Sequence, residues 1–331
     1  MNMHGSQAEA RIGYFGKIPS RGDFIKASNN IPLMSVLDQW LTQTMGLLAE
    51  NPRWKKDYDQ SGAIDFAFIG PNKHRTVAGH IIASTDSAGR RFPFLTASSI
   101  EVEDPVKLVS YSPIVFSNFW DYLSSQGSSI TSVDDPLVPL QNLLSTRVPL
   151  ELQSIQHDQV FADFLDRDTL DTLNEKLLQG GFHGSVRQLI LALGLLLQPI
   201  MTSSKGAQPE KSLALPLPND APYRNLVGAF WMHLITPFLL RDDFELALFI
   251  VRFPEYTTMV FGFSGASSRT LQAIFDPQVG NEHHIGFDDT QWVENQVNSD
   301  YSLKKLSSYL MHPSLSLASV LSSFHENFIG I

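Results

Sequence analysis

Cysteine is absent from the 331-residue sequence, which excludes disulfides, thiolate nucleophiles, iron–sulfur clusters and zinc sites of the cysteine type. Long hydrophobic runs are also missing, because the longest, Leu189 to Leu197, is about half of the roughly 20 residues that cross a bilayer. The first eleven residues lack the apolar segment of a secretory signal. These absences predict a cytoplasmic protein without a transmembrane segment.

Basic charge is sparse as well. The sequence has 24 Lys and Arg against 34 Asp and Glu, a formal net charge of −10. Its densest basic clusters are only residues 53–56 and the pair Arg90-Arg91. Because nucleic-acid affinity comes mainly from clustered cations on phosphates, we expect no nucleic-acid partner. Only 18% of residues are charged, so the surface should be largely neutral and easy to desolvate against a protein.

Metal and nucleotide signatures are weak. His283 and His284 are adjacent, so their side chains diverge on a regular element, and His325 lacks the second histidine of a zincin helix. Residues 13–17 (Gly-Tyr-Phe-Gly-Lys) do not have phosphate-loop spacing, and Pro19 interrupts the strand where a helix should follow. The sequence therefore predicts neither a metal site nor a cofactor.

Periodicity in the first 125 residues predicts a sheet with helices on it. Helical spacing of apolar residues indicates helices over 32–50 and from Asp104-Pro105 to Leu123. Short apolar runs bounded by turn residues predict strands over 11–18, 23–27, 64–69, 76–84 and 92–102. Short strands joined by tight turns favour a largely antiparallel sheet with flanking helices.

The remainder reads as a helical segment followed by a second α/β portion. Ser124 to Ser129 is a candidate linker, and Thr202 to Gly206 is a second break in composition. Helical patterns cover 137–144, 161–178, 186–197 and 223–240, and a hairpin is predicted from 244–251 and 257–263. The predicted class is α+β, divided into residues 11–125, 130–201 and 207–331.

Gly262-Phe263-Ser264-Gly265-Ala266 resembles the nucleophile elbow of a serine hydrolase, placed between a strand and a helix expected near Ser268. Ala266 stands where that motif has glycine, and the parallel strands that precede an elbow are not apparent. A turn that caps the helix explains the same residues. Ser264 is therefore the nucleophile only in an alternative interpretation of the sequence.

An unusual charged turn, Ser20-Arg21-Gly22-Asp23, directly follows Pro19. A structural interpretation has Asp23 accept backbone hydrogen bonds, Arg21 pair with a carboxylate and Gly22 adopt positive φ. A functional interpretation makes the same turn a recognition surface. Residue chemistry alone leaves both open.

This turn lies in the first of two longer motifs. The first is Gly-Tyr-Phe-Gly-Lys-Ile-Pro-Ser-Arg-Gly-Asp-Phe at 13–24, followed by Trp40, and the second is Asp-Ser-Ala-Gly-Arg-Arg-Phe-Pro-Phe-Leu-Thr at 86–96. In order and spacing they resemble the TagF family, also called ImpM, of type VI secretion accessory proteins. The resemblance covers residues 11–125 well and residues 258–277 more weakly. The helical part between Ser129 and Ser204 is longer than in compact members, so its role is not implied.

The resemblance implies a cytoplasmic accessory protein without catalytic residues. Such a protein restrains the secretion apparatus after translation, by binding a scaffold that carries a forkhead-associated domain. Within the motifs, the candidate partner-binding residues are Lys17, Ser20, Arg21, Asp23, Arg90 and Arg91. The candidate structural residues are Gly13, Gly16, Pro19, Gly22, Trp40, Gly89, Phe92 and Pro93. Two alternatives stay open: a serine hydrolase centred on Ser264, and a structural component associated with the baseplate.

Overall fold

Strands from both ends of the chain share one sheet in the computed structural model, which describes residues 7–202, 208–253 and 256–330. Eleven strands are assigned within these ranges. They are β1 (Gln7–Arg11), β2 (Gly13–Gly16), β3 (Ile25–Ala27), β4 (Ile64–Ile69), β5 (Arg75–Ile82), β6 (Phe94–Glu101), β7 (Arg147–Glu151), β8 (Ser212–Leu217), β9 (Leu246–Arg252), β10 (Thr257–Gly262) and β11 (His284–Ile285).

Fourteen helices are assigned in the same ranges. They are α1 (Ile31–Leu48), α2 (Trp54–Asp59), α3 (Pro105–Val115), α4 (Ser117–Ser132), α5 (Leu137–Ser145), α6 (Ile155–Arg167), α7 (Leu170–Gln179), α8 (Val186–Thr202), α9 (Ala221–Leu239), α10 (Ser268–Phe275), α11 (Pro277–His283), α12 (Val293–Ser299), α13 (Tyr301–Tyr309) and α14 (Leu317–Phe328). The α+β class is confirmed.

The main sheet has nine strands in the described residues, in the order β11-β8-β10-β9-β4-β5-β6-β2-β3. All neighbours are antiparallel except β11 and β8, which confirms the predicted antiparallel character. At the centre of the sheet, a strand from the amino-terminal part of the chain pairs with one from the carboxy-terminal part. There, Ala67 of β4 lies opposite Leu248 of β9. β1 pairs instead with β7 in a separate two-stranded sheet. The predicted strand over 11–18 is therefore two strands, separated at Ile12.

Both faces of the sheet are covered, because the described core divides into two apolar clusters on either side of it. One cluster contains Trp40 and Leu41 of α1 and Leu271 of α10, packed on Phe66 and Phe249. The larger cluster lies on the opposite face and joins residues of α3, α4, α8 and α9 to those of β8, β9 and β10. Successive side chains of a strand therefore point alternately into two apolar cores, instead of into one core and the solvent.

Local sequence signals set the helix starts. The Asn30 side chain accepts a hydrogen bond from the Leu33 amide at 3.1 Å and Pro32 lies in the first turn of α1. Asp104 caps α3 in the same way, accepting from the Lys107 amide at 3.0 Å, with Pro105 as the first helical residue. The predicted helices here begin within one residue of the observed ones.

The linker predicted at Ser124 to Ser129 is wrong, since these residues lie inside α4. Leu123, Gly127 and Ile130 are buried at helical spacing, and this face packs on the sheet. A Cβ at Gly127 would lie 2.7 Å from Cδ1 of Ile82, so the small residue lets the helix approach β5 closely. Packing therefore overrides a serine-rich composition. Of the second predicted break, residues 203–206 lie outside the described residues, as do residues 254 and 255 of the predicted hairpin turn.

Candidate functional site

The two motifs meet at one end of the main sheet. β2 pairs with the start of β6, with Gly16 opposite Phe94. Gly16 has φ of +135°, and a Cβ there would lie 2.0 Å from the carbonyl oxygen of Pro93. Only glycine permits this approach, after which the chain continues into residues 17–24 beside residues 85–92. We call these two segments together the corner.

Asp86 is the centre of the corner. Its carboxylate is fully buried and accepts from Lys17 Nζ at 2.9 Å and from Arg90 Nε at 2.7 Å. The backbone amides of Ala88 and Arg90 donate to its other oxygen at 3.0 and 2.9 Å. One carboxylate thus satisfies four donors and ties the first motif to the second.

These donors keep Asp86 ionised. Burial by itself would raise the pKa of the carboxyl, but the hydrogen bonds from Lys17, Arg90 and Ala88 hold that pKa well below its usual range. Lys17 is itself 6% exposed. The ion pair is therefore internal, and Lys17 is a structural residue of the corner.

Backbone contacts close the corner further. The Ser87 amide donates to the Arg21 carbonyl at 2.9 Å, and Arg90 Nη2 donates to the Gly22 carbonyl at 2.7 Å. The Arg21 amide donates to the Ile18 carbonyl at 3.1 Å, which closes the turn at Pro19. Arg90 therefore holds both segments, although its side chain remains largely exposed.

Arg21 and Asp23 face outward. Arg21 Nη2 lies 3.2 Å from Oδ1 of Asp135, an exposed residue between α4 and α5. Asp23 is exposed, and its Oδ1 accepts from the Phe24 amide at 2.8 Å. The Oγ of Ser20 is buried without a hydrogen-bond partner. Of the residues assigned to partner binding, Asp23 and Arg90 are exposed, and Arg21 is half-buried.

Arg91 points away from the rest of the corner towards α2. Its Nε and Nη2 lie 2.7 and 2.6 Å from the two carboxylate oxygens of Asp59, a fork-like pair. The Arg91 side chain keeps the pKa of Asp59 below its usual range. Arg91 thus fixes α2 against the corner.

An aromatic cluster covers the corner from one side. Phe24 stacks on Phe15, with ring centroids 5.5 Å apart, and meets Phe92 edge-on at 4.8 Å. Lys17 Nζ lies 4.9 Å from the centroid of the Phe24 ring. Phe24 is nevertheless 45% exposed, so the corner presents an apolar ring next to Asp23.

The structural residues of the motifs divide by location. Trp40, Phe92 and Pro93 are buried, whereas Pro19 and Gly22 lie at the surface. The positive φ suggested for Gly22 is wrong, because Gly16 and Gly89 have this conformation and Gly22 does not. A Cβ at Gly22 would make only an ordinary contact of 3.5 Å with Ser87 Oγ.

Gly13 and Gly89 play different parts. A Cβ at Gly13 would lie 2.6 Å from Ser28 Oγ, so Gly13 allows β2 and β3 to pack closely. Gly89 has φ of +75° in the turn that follows Asp86, with open space around its Cα. Their shared requirement is backbone geometry rather than contact with a partner.

Sequence reasoning missed the roles of Asp86, Phe24, Asp59 and Asp135. Asp86 and Phe24 belong to the two motifs, and an acidic residue two positions before the turn residue Ala88 is a typical signal of an Asx turn. Asp59 and Asp135 carry no such signal, because their arginine partners are 32 and 114 residues away.

The Ser264 region does not assemble as an elbow. Ser264 is exposed, Gly265 has φ of +55°, and the cap of α10 is Ser267, whose Oγ accepts from the Thr270 amide. Asp276 accepts from the amides that start α11 and from Asn51, and His325 contacts the His233 carbonyl. A serine nucleophile would need an acid and a histidine beside it. Asp276 and His325, which follow Ser264 in the sequence, are thus engaged elsewhere.

Within the described part of the chain, no cluster of three or more His, Asp or Glu side chains could hold a metal ion. The same ranges contain no helix of sufficient length and hydropathy to cross a membrane.

The comparisons with known proteins concern mainly the amino-terminal part of the chain. Residues 13–146, which include the corner, match the family model of the TagF N-terminal domain, type VI secretion system-associated. A crystal structure of PA0076 from Pseudomonas aeruginosa PAO1 is 24% identical over 42% of this chain and 64% of that chain, with a TM-score of 0.35. The match thus spans less than two thirds of that protein. No curated protein matches the chain significantly.

Proposed function

The chain belongs to the TagF family of type VI secretion system-associated proteins through its domain at residues 13–146, and from that premise we propose that it is a cytoplasmic, negative post-translational regulator of the secretion system. It acts by binding a scaffold protein that carries a forkhead-associated domain. The contact surface is the outward side of the corner, formed by Arg21, Asp23 and Phe24.

The preorganised geometry of the corner supports this proposal. Asp86 fixes residues 17–24 against residues 85–92 through buried charge-assisted hydrogen bonds, so little conformational entropy is lost when a partner docks. On this rigid base, Arg21 and Asp23 offer opposite charges and Phe24 offers an exposed ring. Charges at a rim set specificity and association rate, and an aromatic ring supplies area to desolvate.

The other four candidate partner-binding residues have a supporting role in this proposal; they are Lys17, Ser20, Arg90 and Arg91. The Lys17 side chain and the Ser20 Oγ are buried, and the side chains of Arg90 and Arg91 bond to Asp86, Gly22 and Asp59, so replacing any of the four changes the shape of the corner as well as its charge. The Arg21 side chain instead bonds to the neighbouring Ser20 carbonyl and to the exposed Asp135, so tests of binding should use Arg21.

The decisive experiment compares two charge reversals. Arg21→Glu removes a surface ion pair, and Arg167→Glu removes another surface pair, with Asp163 on α6, that does not involve the corner. Because exposed pairs contribute about 0–1 kcal/mol, both variants should melt close to wild type. We expect Arg21→Glu to weaken binding of the purified forkhead-associated scaffold by about tenfold or more, and Arg167→Glu to bind as wild type does.

A wild-type chain that does not bind the scaffold would end the partner proposal. Binding by Arg21→Glu at wild-type affinity would remove the corner as the contact while leaving the partner in place. Stoichiometric copurification with baseplate subunits, without the scaffold, would favour the structural alternative.

The sign of regulation has its own measurement. A binder that sequesters a scaffold withdraws it from assembly in proportion to the binder's concentration relative to Kd. Overexpression of the wild-type chain should lower the amount of tube protein in culture supernatants, and overexpression of Arg21→Glu should lower it less. An increase of secreted tube protein on overexpression would contradict negative regulation.

A further inference from the structure

A cavity of about 450 Å³ lies far along the sequence from the corner, next to the strands β8, β9 and β10. Ala214, Val251 and Val260 of these strands line it, together with Ile274 of α10, Phe182 and Phe287. Five of these six side chains are themselves buried, and Ala214 is half-buried. Its volume is in the range of small-molecule sites.

Small residues lie along the edge of this space. Gly180 and Gly280 lie at its edge, where a Cβ would come within 2.9 Å of the Leu217 carbonyl and 2.8 Å of the Ala273 carbonyl. Ala214 occupies a strand position at which a larger side chain would project into the cavity. The surrounding backbone is thus packed tightly while the cavity itself remains unfilled.

One polar side chain in the wall lacks a partner. Both ring nitrogens of His284, on β11, are buried without a hydrogen-bond partner. Burial, with a smaller effect of His283, lowers the pKa of His284 to about 4, and the approach of the Ala273 carbonyl to the ring partly opposes this shift. The ring is therefore neutral at pH 7, and no donor among the described residues satisfies its acceptor nitrogen.

The charge of the lining restricts what can bind. Among the described residues that line the cavity, none is Lys or Arg, and Asp288 supplies a carboxylate. Anions such as phosphates or carboxylates would enter without a countercharge, which is unfavourable in an apolar site. Aromatic side chains in the wall favour a flat ring system.

We propose that this cavity binds an uncharged heteroaromatic small molecule, whose ring packs against the apolar wall and whose polar edge hydrogen-bonds to His284. The site lies outside residues 13–146 and is independent of the proposed partner surface. A bound ligand of this kind would bridge β8–β10, α10 and the segment after β11.

Benzimidazole tests the proposal, because it is a flat bicycle with one N–H donor and one acceptor nitrogen. We expect saturable binding to the full chain at pH 7.5, observed by NMR, with a Kd of about 1 mM or lower, as suits a small fragment. Benzoate, its anionic counterpart in size, should bind at least about tenfold more weakly.

Two variants locate the binding. Ala214→Leu should narrow the cavity and weaken saturable benzimidazole binding, and His284→Phe should weaken it about tenfold by loss of a hydrogen bond. His312→Phe, the same exchange at an exposed histidine, should leave the Kd unchanged. Thermal melts confirm that each variant is folded, and His284→Phe decides the question if Ala214→Leu does not fold.

Absence of saturable benzimidazole binding by the wild type would overturn the proposal. So would equal affinity in wild type and His284→Phe, or tighter binding of benzoate than of benzimidazole.

Discussion

At the residue scale, the corner depends on one backbone position, Gly16, that no other amino acid can occupy without strain. Gly16 combines φ of +135° with a carbonyl oxygen directly where its Cβ would be. Gly22, six residues later in the same motif, has neither constraint. Two glycines that look equivalent in the sequence therefore differ in what they contribute to stability.

This difference gives a prediction. Gly16→Ala should lower the free energy of unfolding by about 3 kcal/mol or more, because backbone strain adds to a clash with the Pro93 carbonyl. Gly22→Ala should change it by less than about 0.5 kcal/mol. Urea denaturation followed by circular dichroism measures both free energies of unfolding. Equal losses of stability in the two variants would contradict the special requirement for glycine at position 16.

The residue roles at the corner were only partly predictable. The two motifs quoted from the sequence contain Lys17, Arg90 and Asp86, but their mutual contacts depend on β2 and β6 being neighbours. Arg21 was expected to pair with a carboxylate in the structural interpretation, and it does, with Asp135. No local pattern could have named that partner, since the pairing depends on where α4 ends.

At the element scale, packing decided several structures that composition obscured. α4 continues through a serine-rich stretch because its buried face lies on the sheet. β8 was not predicted, since Pro216 interrupts an apolar run. Pro216 is tolerated because it lies beyond the two residues of β8 that pair with β11, and its carbonyl accepts from Trp231 Nε1 at 3.0 Å.

The helical state of the predicted linker can be tested directly. Ser125 is exposed in the interior of α4, so Ser125→Pro should cost about 3 kcal/mol or more by removing a helical hydrogen bond and creating a clash. Ser125→Ala is the matched control and should be neutral or slightly stabilising. If chemical denaturation shows both variants to be equally stable, residues 124–129 behave as a loop.

At the scale of the whole molecule, the main sheet combines strands from the amino-terminal and carboxy-terminal parts of the chain. β4 and β9 pair along their lengths at the centre of the sheet, although about 180 residues separate them in the sequence. The division into residues 11–125, 130–201 and 207–331 stays a proposal beside this shared sheet.

Buried histidines should control stability below neutral pH. Burial is the main cause that lowers the pKa of His233 to about 4, and it has the same effect on His284. A histidine with a lowered folded-state pKa binds fewer protons in the native than in the unfolded chain, so its stabilising effect is complete above the unfolded pKa of about 6.5. That contribution is lost as pH falls from about 6.5 towards 4.

We therefore expect the free energy of unfolding to fall between pH 7 and pH 5, on the order of 1 kcal/mol per pH unit for each such group. His233→Gln should reduce this slope, and His312→Gln controls for the loss of a histidine as such. Denaturant titrations at pH 7.5, 6.5 and 5.5 measure the slope of stability against pH. A slope unchanged by His233→Gln would contradict the lowered pKa of His233.

Asp86 should contribute to the pH dependence only at lower pH. Its stabilising effect is lost below the usual carboxyl pKa, because the pKa of Asp86 in the folded chain is held down.

By itself, the sequence determined the class of the fold, most element positions in the first 125 residues, the starts of α1 and α3, and the two motifs that indicate the family. Each depends on local information: periodicity, capping chemistry and fixed spacing. Only the tertiary structure decided the continuation of α4, the pairing of β4 with β9, the burial of Lys17 against Asp86 and the cavity beside His284. These depend on contacts between residues far apart in the chain, for which a single sequence carries no local signal.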